Sequence, residues 1–323
     1  MIYGNGQLLS ANKTMIWKKL GLILSLDGLD SKPEWMNSHM AVPVVEKLDN
    51  QHVRVYFSTR NSLNQSLPAS IDLNMETFEN SNLSHQPIIS LGNVGCFDDS
   101  GFMTTDVLDT PTGKYLYYIG WNLGVTVPFR NSIGIAAFNH ATKHFERLFE
   151  GPILDRTYKE PHFCASCCVL FENSTYKMWY LSCVRWLVIN GTLTHCYHIK
   201  YAESKDGINW ERNGVIAIDF ESEYEYAISV PRVVNLHGTY HMWFSSRATQ
   251  HTKTYRIRHA ISTDGIRWKR SEGFALDTSK DGWDSEMVCY PYVFQYKDKL
   301  YMLYNGNAYG KTGIGIAVCE ENK

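Results

Sequence analysis

The sequence predicts an all-β protein, a five-bladed β-propeller of four-stranded antiparallel blades. Three observations carry the prediction: a repeat of constant period, an aromatic residue at a fixed offset in every copy, and an Asp-Gly turn that closes the best copies. The first-strand anchors are Pro43, Thr105, Cys167, Pro231 and Pro291, which are 62, 62, 64 and 60 residues apart. Thirteen residues beyond each anchor stands Tyr56, Tyr118, Tyr180, Phe244 or Tyr304. A two-sheet sandwich would show alternation and turns without so steady a period.

The copy from Glu225 to Trp268 shows the unit most clearly. EYAISVPRVV and HMWFSSRA flank a His237-Gly238 turn signal, a hairpin pattern. Tyr255 to Ser262 then alternates Ile257, His259 and Ile261 against Arg256, Arg258 and Ala260. Thr263-Asp264-Gly265 turns the chain into a fourth strand near Trp268. Second strands recur as VRVYFSTRN, YLYYIGWN, YKMWYLSC and LYMLYNGN, and third strands as IGIAAFNH, IKYAESKDG and IGIAVCEE. The first blade is the weakest copy, with ASIDLNMETF in the third-strand place. The fifth blade has only three strands of its own. Met15 to Ile23 is spaced like Ile208 to Ile216 and is expected to supply the missing outer strand, closing the ring.

Five such units use nearly all of the 323 residues, so a single domain over 1–323 is expected. A net charge of −2 argues against nucleic acid or an anionic membrane as the main partner. The apolar run Leu20 to Leu26 is too short to span a bilayer and lacks the layout of a signal peptide, so a cytoplasmic protein is expected. Cys164 and Cys167 have the spacing of a metal or redox half-site, but no second pair matches them. Buried, reduced thiols are expected instead, with Cys164 and Cys168 on one face and Cys167 on the other. No cofactor is expected. A central Ca²⁺ is compatible with oxygen ligands, although no spacing requires one. His237, His241 and His259 read as structural.

In a propeller the residues ahead of each first strand and after each second strand line one mouth of the central channel. Ahead of the first strands lie Asp98 and Asp99, Glu160, Glu223 and Glu225, and Asp284 and Glu286; the first blade has Asn37, Ser38 and His39 there. After the second strands come Arg60, Trp121, Arg185 with Trp186, Arg247, and Asn305. A ring of acids suits glycosidic cleavage, in which one carboxyl protonates the leaving oxygen while another activates water or attacks. Asp99 is expected as base or nucleophile, Glu160 as acid, and Glu286 as a second acid or a carboxylate that tunes the pKa of the others. His39, Arg60, Asp98, Trp121, His162, Arg185, Glu225, Arg247 and Asn305 are expected to bind substrate, and Trp186 and Tyr309 to offer flat platforms for a sugar ring. The alternative for any of these acids is that it serves turn backbone groups or pairs with arginine.

The blade repeats, the Asp-Gly-Ile-x-Trp turns and Tyr304-Asn-Gly…Gly313-Ile-Gly-Ile-Ala resemble the five-bladed glycoside hydrolase superfamily, which includes arabinanase, invertase, anhydrogalactosidase and mannoside-phosphorylase relatives. The resemblance covers almost the whole chain and implies a carbohydrate-active enzyme. Trp35-Met36-Asn37-Ser38 is similar to the invertase nucleophile motif, but Ser38 stands where the carboxylate would be. Val42-Pro43 likewise lacks the acid of the arabinanase pattern.

Arg60, Arg185 and Arg247 hold equivalent slots in three blades, and their forks suit carboxylate or phosphate. The expected ligand is therefore a carbohydrate, and an acidic sugar, sugar phosphate or nucleotide sugar fits it. Three functions are consistent with these residues. The leading one is a glycosidase-like hydrolase. A glycosyltransferase or phosphorylase in cytoplasmic glycan synthesis is the first alternative, and a non-catalytic glycan-binding propeller the second.

Overall fold

Strands make up most of the computed structural model, which describes residues 15–189 and 191–320. They group into five antiparallel units. The first contains Ser38–Lys47, His52–Arg60, Ser66–Asn74 and Asn80–Ser81. The second contains Gly101–Thr110, Gly113–Leu123, Phe129–Asn139 and His144–Arg147. The third runs Cys164–Glu172, Thr175–Ile189 and Thr192–Ser204, with two short outer pieces, Trp210–Glu211 and Ile216–Ile218. The fourth is Glu225–Leu236, Thr239–Ala248, Arg256–Ser262 and Lys269–Arg270. In the fifth, Cys289–Tyr296, Lys299–Asn305 and Ile314–Glu320 are joined on the outside by Ile16–Leu24, which pairs antiparallel with Ile314–Glu320.

Every first strand carries a register break at or beside its repeat anchor. Val42, Val230 and Tyr290, each just ahead of an anchor proline, have φ of 53, 50 and 56°. A left-handed β-branched residue is costly, so the surrounding contacts must hold it there. The break has a second effect in the third unit. Cys164 and Cys167 pack into one cluster with Ile133 and Met178, while Cys168 packs into another with Trp179 and Val233. The expected grouping of Cys164 with Cys168 is therefore corrected: the bulge between Ala165 and Cys167 inserts one residue and reverses the alternation. Cys164, Cys167, Cys168, Cys183, Cys196 and Cys289 are buried free thiols.

The first strands meet at a buried ion pair. Arg232 Nη1 lies 3.0 Å from Asp106 Oδ1, and its plane stacks 3.8 Å from the centre of the Tyr292 ring. Val169 N–H donates to Asp106 Oδ2 at 2.8 Å, and the Tyr292 hydroxyl donates to the Val45 carbonyl at 3.1 Å. Residues from all five first strands thus touch one constellation. Burial pushes the Asp106 carboxyl above its ordinary range, and the guanidinium opposes that shift.

Neighbouring units are also sewn together by the Asp-Gly turns. Asp206 and Asp264 each accept backbone N–H bonds from the two residues that follow the glycine. The freed carbonyls of Gly207 and Gly265 accept from Tyr117 Oη at 3.0 Å and Trp179 Nε1 at 2.7 Å, both from the preceding unit. Gly207 and Gly265 have φ of 74 and 75°, and a Cβ on Gly207 would stand 2.8 Å from Tyr117 Oη. That explains glycine at the turn. Among the described residues no helix is long and apolar enough to cross a membrane.

The core ion pair can be tested by substitution. Arg232→Met strands a buried carboxylate and should cost about 3–5 kcal/mol, whereas the double change Asp106→Leu/Arg232→Met should recover most of that loss; urea unfolding of both variants checks this. A second prediction uses His259 and His241, whose rings meet at 3.0 Å. Burial holds His259 down to about 3 and His241 to about 4. The unfolded chain binds these protons near pH 6.5 and the folded one does not, so stability should fall as pH drops from about 6.5 toward 4. Melting curves of His259→Gln should show a shallower fall over that window than the wild type.

Candidate functional site

The acids ahead of the first strands are organised by the repeat. Asp98, Glu160 and Asp284 stand seven residues before their anchors, and Glu225 six. All four are buried. Asp98 is met by Arg147 Nε at 2.7 Å and Tyr118 Oη at 3.3 Å. Asp284 is met by Lys19 Nζ at 2.7 Å and Tyr304 Oη at 3.1 Å. Glu160 accepts from Tyr180 Oη at 3.0 Å and Ser182 Oγ at 3.1 Å. In the fourth unit, where Phe244 has no hydroxyl, Ser246 donates to Glu225 and Arg270 Nη1 lies 3.0 Å away.

At Asp98, Glu225 and Asp284 the contact joins an acid at the strand entrance, a side chain of the second strand and a cation of the outer strand; at Glu160 the cations are Lys200 of the third strand and Arg212 just after Trp210–Glu211. This is a clamp across the width of a unit. The aromatic at the fixed offset has a physical reason: Tyr118, Tyr180 and Tyr304 present a hydroxyl to it. Burial and the adjacent carboxylate push those hydroxyls up, so they remain donors. In the first unit Tyr56 Oη donates to Glu46 instead, at 2.6 Å.

The other expected residues differ in what they touch. Asp99 Oδ2 accepts from Gly95 N–H at 3.0 Å and Oδ1 from Ser100 Oγ at 2.8 Å, which makes it a partly buried turn cap. The Glu286 side chain is exposed. Asn305, expected to bind substrate, is corrected: it is fully buried, and its amide is used up by backbone. Its Oδ1 accepts from Val42 N–H at 2.8 Å, and its Nδ2 donates to the Met40 and Gly313 carbonyls at 2.6 and 3.0 Å. Asn305 thereby ties the fifth unit to the left-handed backbone of the first. His162 is half-buried.

A second group of these residues consists of arginines and aromatic rings. Arg60 stacks 5.3 Å from the centre of Trp121 and donates to the Asn64 carbonyl at 2.8 Å. Arg247 is caged: its guanidinium lies 4.8 Å from the Tyr255 ring and 5.1 Å from the Tyr226 ring, and Nη1 donates to Tyr309 Oη at 2.8 Å. Its Nε is buried without an acceptor. Arg185 is the exposed member of the three. Tyr197 and Tyr255 are bonded through their hydroxyls, and His195 stacks on Tyr197 at 4.9 Å. Burial, then the Arg247 charge, hold His195 down to about 4. His39 is bonded to Ser38 Oγ at 2.9 Å, and its pKa is lowered by burial and then by Arg60 and Lys311. Trp186 packs edge-on against Phe129 and Phe163 as a wall rather than an open platform.

Among the described residues Arg60, Arg185 and Arg247 have no carboxylate within ion-pair distance, while eight other arginines do. Also among them, no three His, Cys, Asp or Glu side chains are arranged to hold a metal ion. The tyrosine cage is hidden in the sequence because Tyr197, Tyr226, Tyr255 and Tyr290 come from three units at different offsets. One signal was present in Tyr290, placed directly before an anchor proline like Val42 and Val230.

With this geometry the chain shares the fold of glycoside hydrolase propeller enzymes. A thermostable family-43 glycoside hydrolase matches at a TM-score of 0.64 and 16% identity over 91% of each chain. An endo-arabinase from Bacteroides thetaiotaomicron matches at 0.62 and 15%, covering 91% of this chain and 99% of that one. A glycosyl hydrolase from Bacteroides ovatus gives 0.68 and 14%, covering 95% and 93%. The chain belongs to the family of the Mycobacterium tuberculosis protein Rv1502, with 36% identity over 310 residues, 95% of this chain and 100% of that one. A 1,2-beta-oligomannan phosphorylase of Thermoanaerobacter is 37% identical over 78 residues, 24% of this chain and 26% of that protein. No family profile matches the chain.

The clamps predict a division among the acids. Asp284→Asn leaves Lys19 without its counter-charge and should cost about 3–5 kcal/mol. Asp99→Asn at its turn should cost no more than about 1 kcal/mol. Chemical denaturation measures both, and Glu160→Gln belongs with Asp284→Asn on this view. A Glu160→Gln protein of unchanged stability but lost turnover would instead make Glu160 the catalytic acid.

Proposed function

We propose that the chain is a single five-bladed propeller, its ring closed by Ile16–Leu24, and a carbohydrate-active enzyme that breaks or transfers a glycosidic bond of an anionic substrate at the arginine-lined mouth. One observation carries this reading: Arg60, Arg185 and Arg247 stand at equivalent slots of three units without a carboxylate partner among the described residues. An enclosed cation with no counter-charge, as Arg247 is, is unfavourable by several kcal/mol, and a bound oxyanion relieves it. The tyrosines around Arg247 add flat faces for a sugar and hydroxyl donors for its oxygens.

Hydrolysis by two carboxylates fits less well. Asp98, Glu160, Glu225 and Asp284 are engaged in clamps, which leaves Asp99, Glu223 and Glu286 of the acids ahead of the first strands. One remaining acid suffices when phosphate is the attacking group: it protonates the leaving oxygen while phosphate, held by the arginines, attacks the anomeric carbon. The local likeness to a 1,2-beta-oligomannan phosphorylase supports the same choice. Transfer from a sugar phosphate or nucleotide sugar uses the same anion site.

Two measurements test this. Inorganic phosphate or a sugar 1-phosphate should raise the melting temperature, and Arg247→Ala should weaken binding about tenfold to a hundredfold, the loss of one or two charge-assisted hydrogen bonds. A panel of oligosaccharides incubated with and without phosphate should release a sugar 1-phosphate only when phosphate is present. Release of free sugar at a rate independent of phosphate would restore hydrolysis. Glycan binding with no turnover in either condition would leave a binding propeller.

A further inference from the structure

The acid–cation clamp is built four times, so the repeat provides its own controls. In three units one cation sits directly on the acid: Arg147 on Asp98 at 2.7 Å, Arg270 on Glu225 at 3.0 Å and Lys19 on Asp284 at 2.7 Å. The third unit differs. Lys200 Nζ stands 3.5 Å from Glu160 and Arg212 Nη1 3.7 Å, so two cations share one acid and neither closes on it. A cavity of about 330 Å³ opens beside them, lined by Tyr158, Lys159, Glu160, Lys200, Trp210 and Arg212 among others. Three positive side chains face one negative. Arg212 Nη1 and Trp210 Nε1 both lack an acceptor.

We propose that this cavity is a second anion-binding site, taking an oxyanion-bearing saccharide unit such as a phosphorylated or carboxylated sugar. An oxyanion between Lys200 and Arg212 balances the surplus charge without displacing Glu160. Lys159, whose ammonium lies 5.6 Å from the Tyr158 ring centre, closes the outer side. The volume falls in the range of small-molecule sites, and Tyr158 and Trp210 provide flat apolar surface. The cavity includes the segment that leads into Cys164–Glu172, and Phe163 in that segment packs in the mouth wall. It therefore flanks the mouth and is placed to hold a neighbouring charged unit of the same glycan. The site shares no residue with the Arg60, Arg185 and Arg247 set, so its anion binding is tested separately, while the saccharide character of its ligand rests on the function proposed above.

Calorimetric titration of the full chain with inorganic phosphate, repeated with glucuronate, tests it. Wild-type protein should show two binding events with at least one probe. Lys200→Met and Lys159→Ala should each weaken one event, at least tenfold and three- to tenfold respectively, leaving the event lost in Arg247→Ala intact. Lys159 is exposed and outside the clamp, so its variant decides the matter if Lys200→Met fails to fold. A single event that Arg247→Ala removes and Lys159→Ala leaves unchanged overturns the proposal, as does the absence of any event. The stronger probe distinguishes a phosphate from a carboxylate ligand.

Discussion

The Asp106–Arg232 pair is the constraint on which the rest of the structure turns. It lies where the five first strands approach one another, and each of those strands gives it a residue or a carbonyl. A buried ion pair contributes little net stability compared with an apolar plug of the same volume. Its value here is directional. A carboxylate with fixed lone pairs and a planar guanidinium accept only one arrangement of neighbours, so five similar units are held in one register. The left-handed residues beside the anchors are strained, and they are held by specific bonds, such as that from Asn305 to Val42.

The strand units were legible in the sequence because each of them must solve the same packing problem. A tyrosine thirteen residues past an anchor, or Asp-Gly before a tryptophan, reflects a contact made again in the next copy. Even the weakest copy, ASIDLNMETF, forms a full third strand, Ser66–Asn74, since its partner Val53 to Arg60 supplies the pattern it lacks. The cysteine faces were not legible. A bulge changes the parity of a strand without changing its composition, and nothing in Cys-Ala-Ser-Cys-Cys marks where the extra residue falls.

Arginines and acids of the candidate site were both legible in the sequence as recurrences, and their partners were not. Both recur at fixed offsets, and recurrence alone does not distinguish a catalytic ring from a structural brace. What separates them is the partner. Asp98, Glu225 and Asp284 draw their cations from outer strands, Arg147, Arg270 and Lys19, and Glu160 draws on Lys200 and Arg212, all far along the chain. Arg247 is met by Tyr226, Tyr255 and Tyr309 and, among the described residues, by no carboxylate. That difference is three-dimensional, and a linear reading carries no trace of it.

The pairing of Ile16–Leu24 with Ile314–Glu320 has a consequence for how the protein is made. Four units draw their strands from one continuous stretch and can assemble as the chain leaves the ribosome. The fifth cannot, because Leu24 waits for Ile314, about 290 residues later. Until then an apolar strand containing Trp17 and Leu24 has no mate, while Lys19 is absent from the side of Asp284. Closing so long a loop is entropically slow rather than thermodynamically prohibitive. The last step of biogenesis is therefore the meeting of these two strands, and a nascent chain halted before Ile314 would carry four formed units and one exposed edge, the form most open to pairing with another molecule.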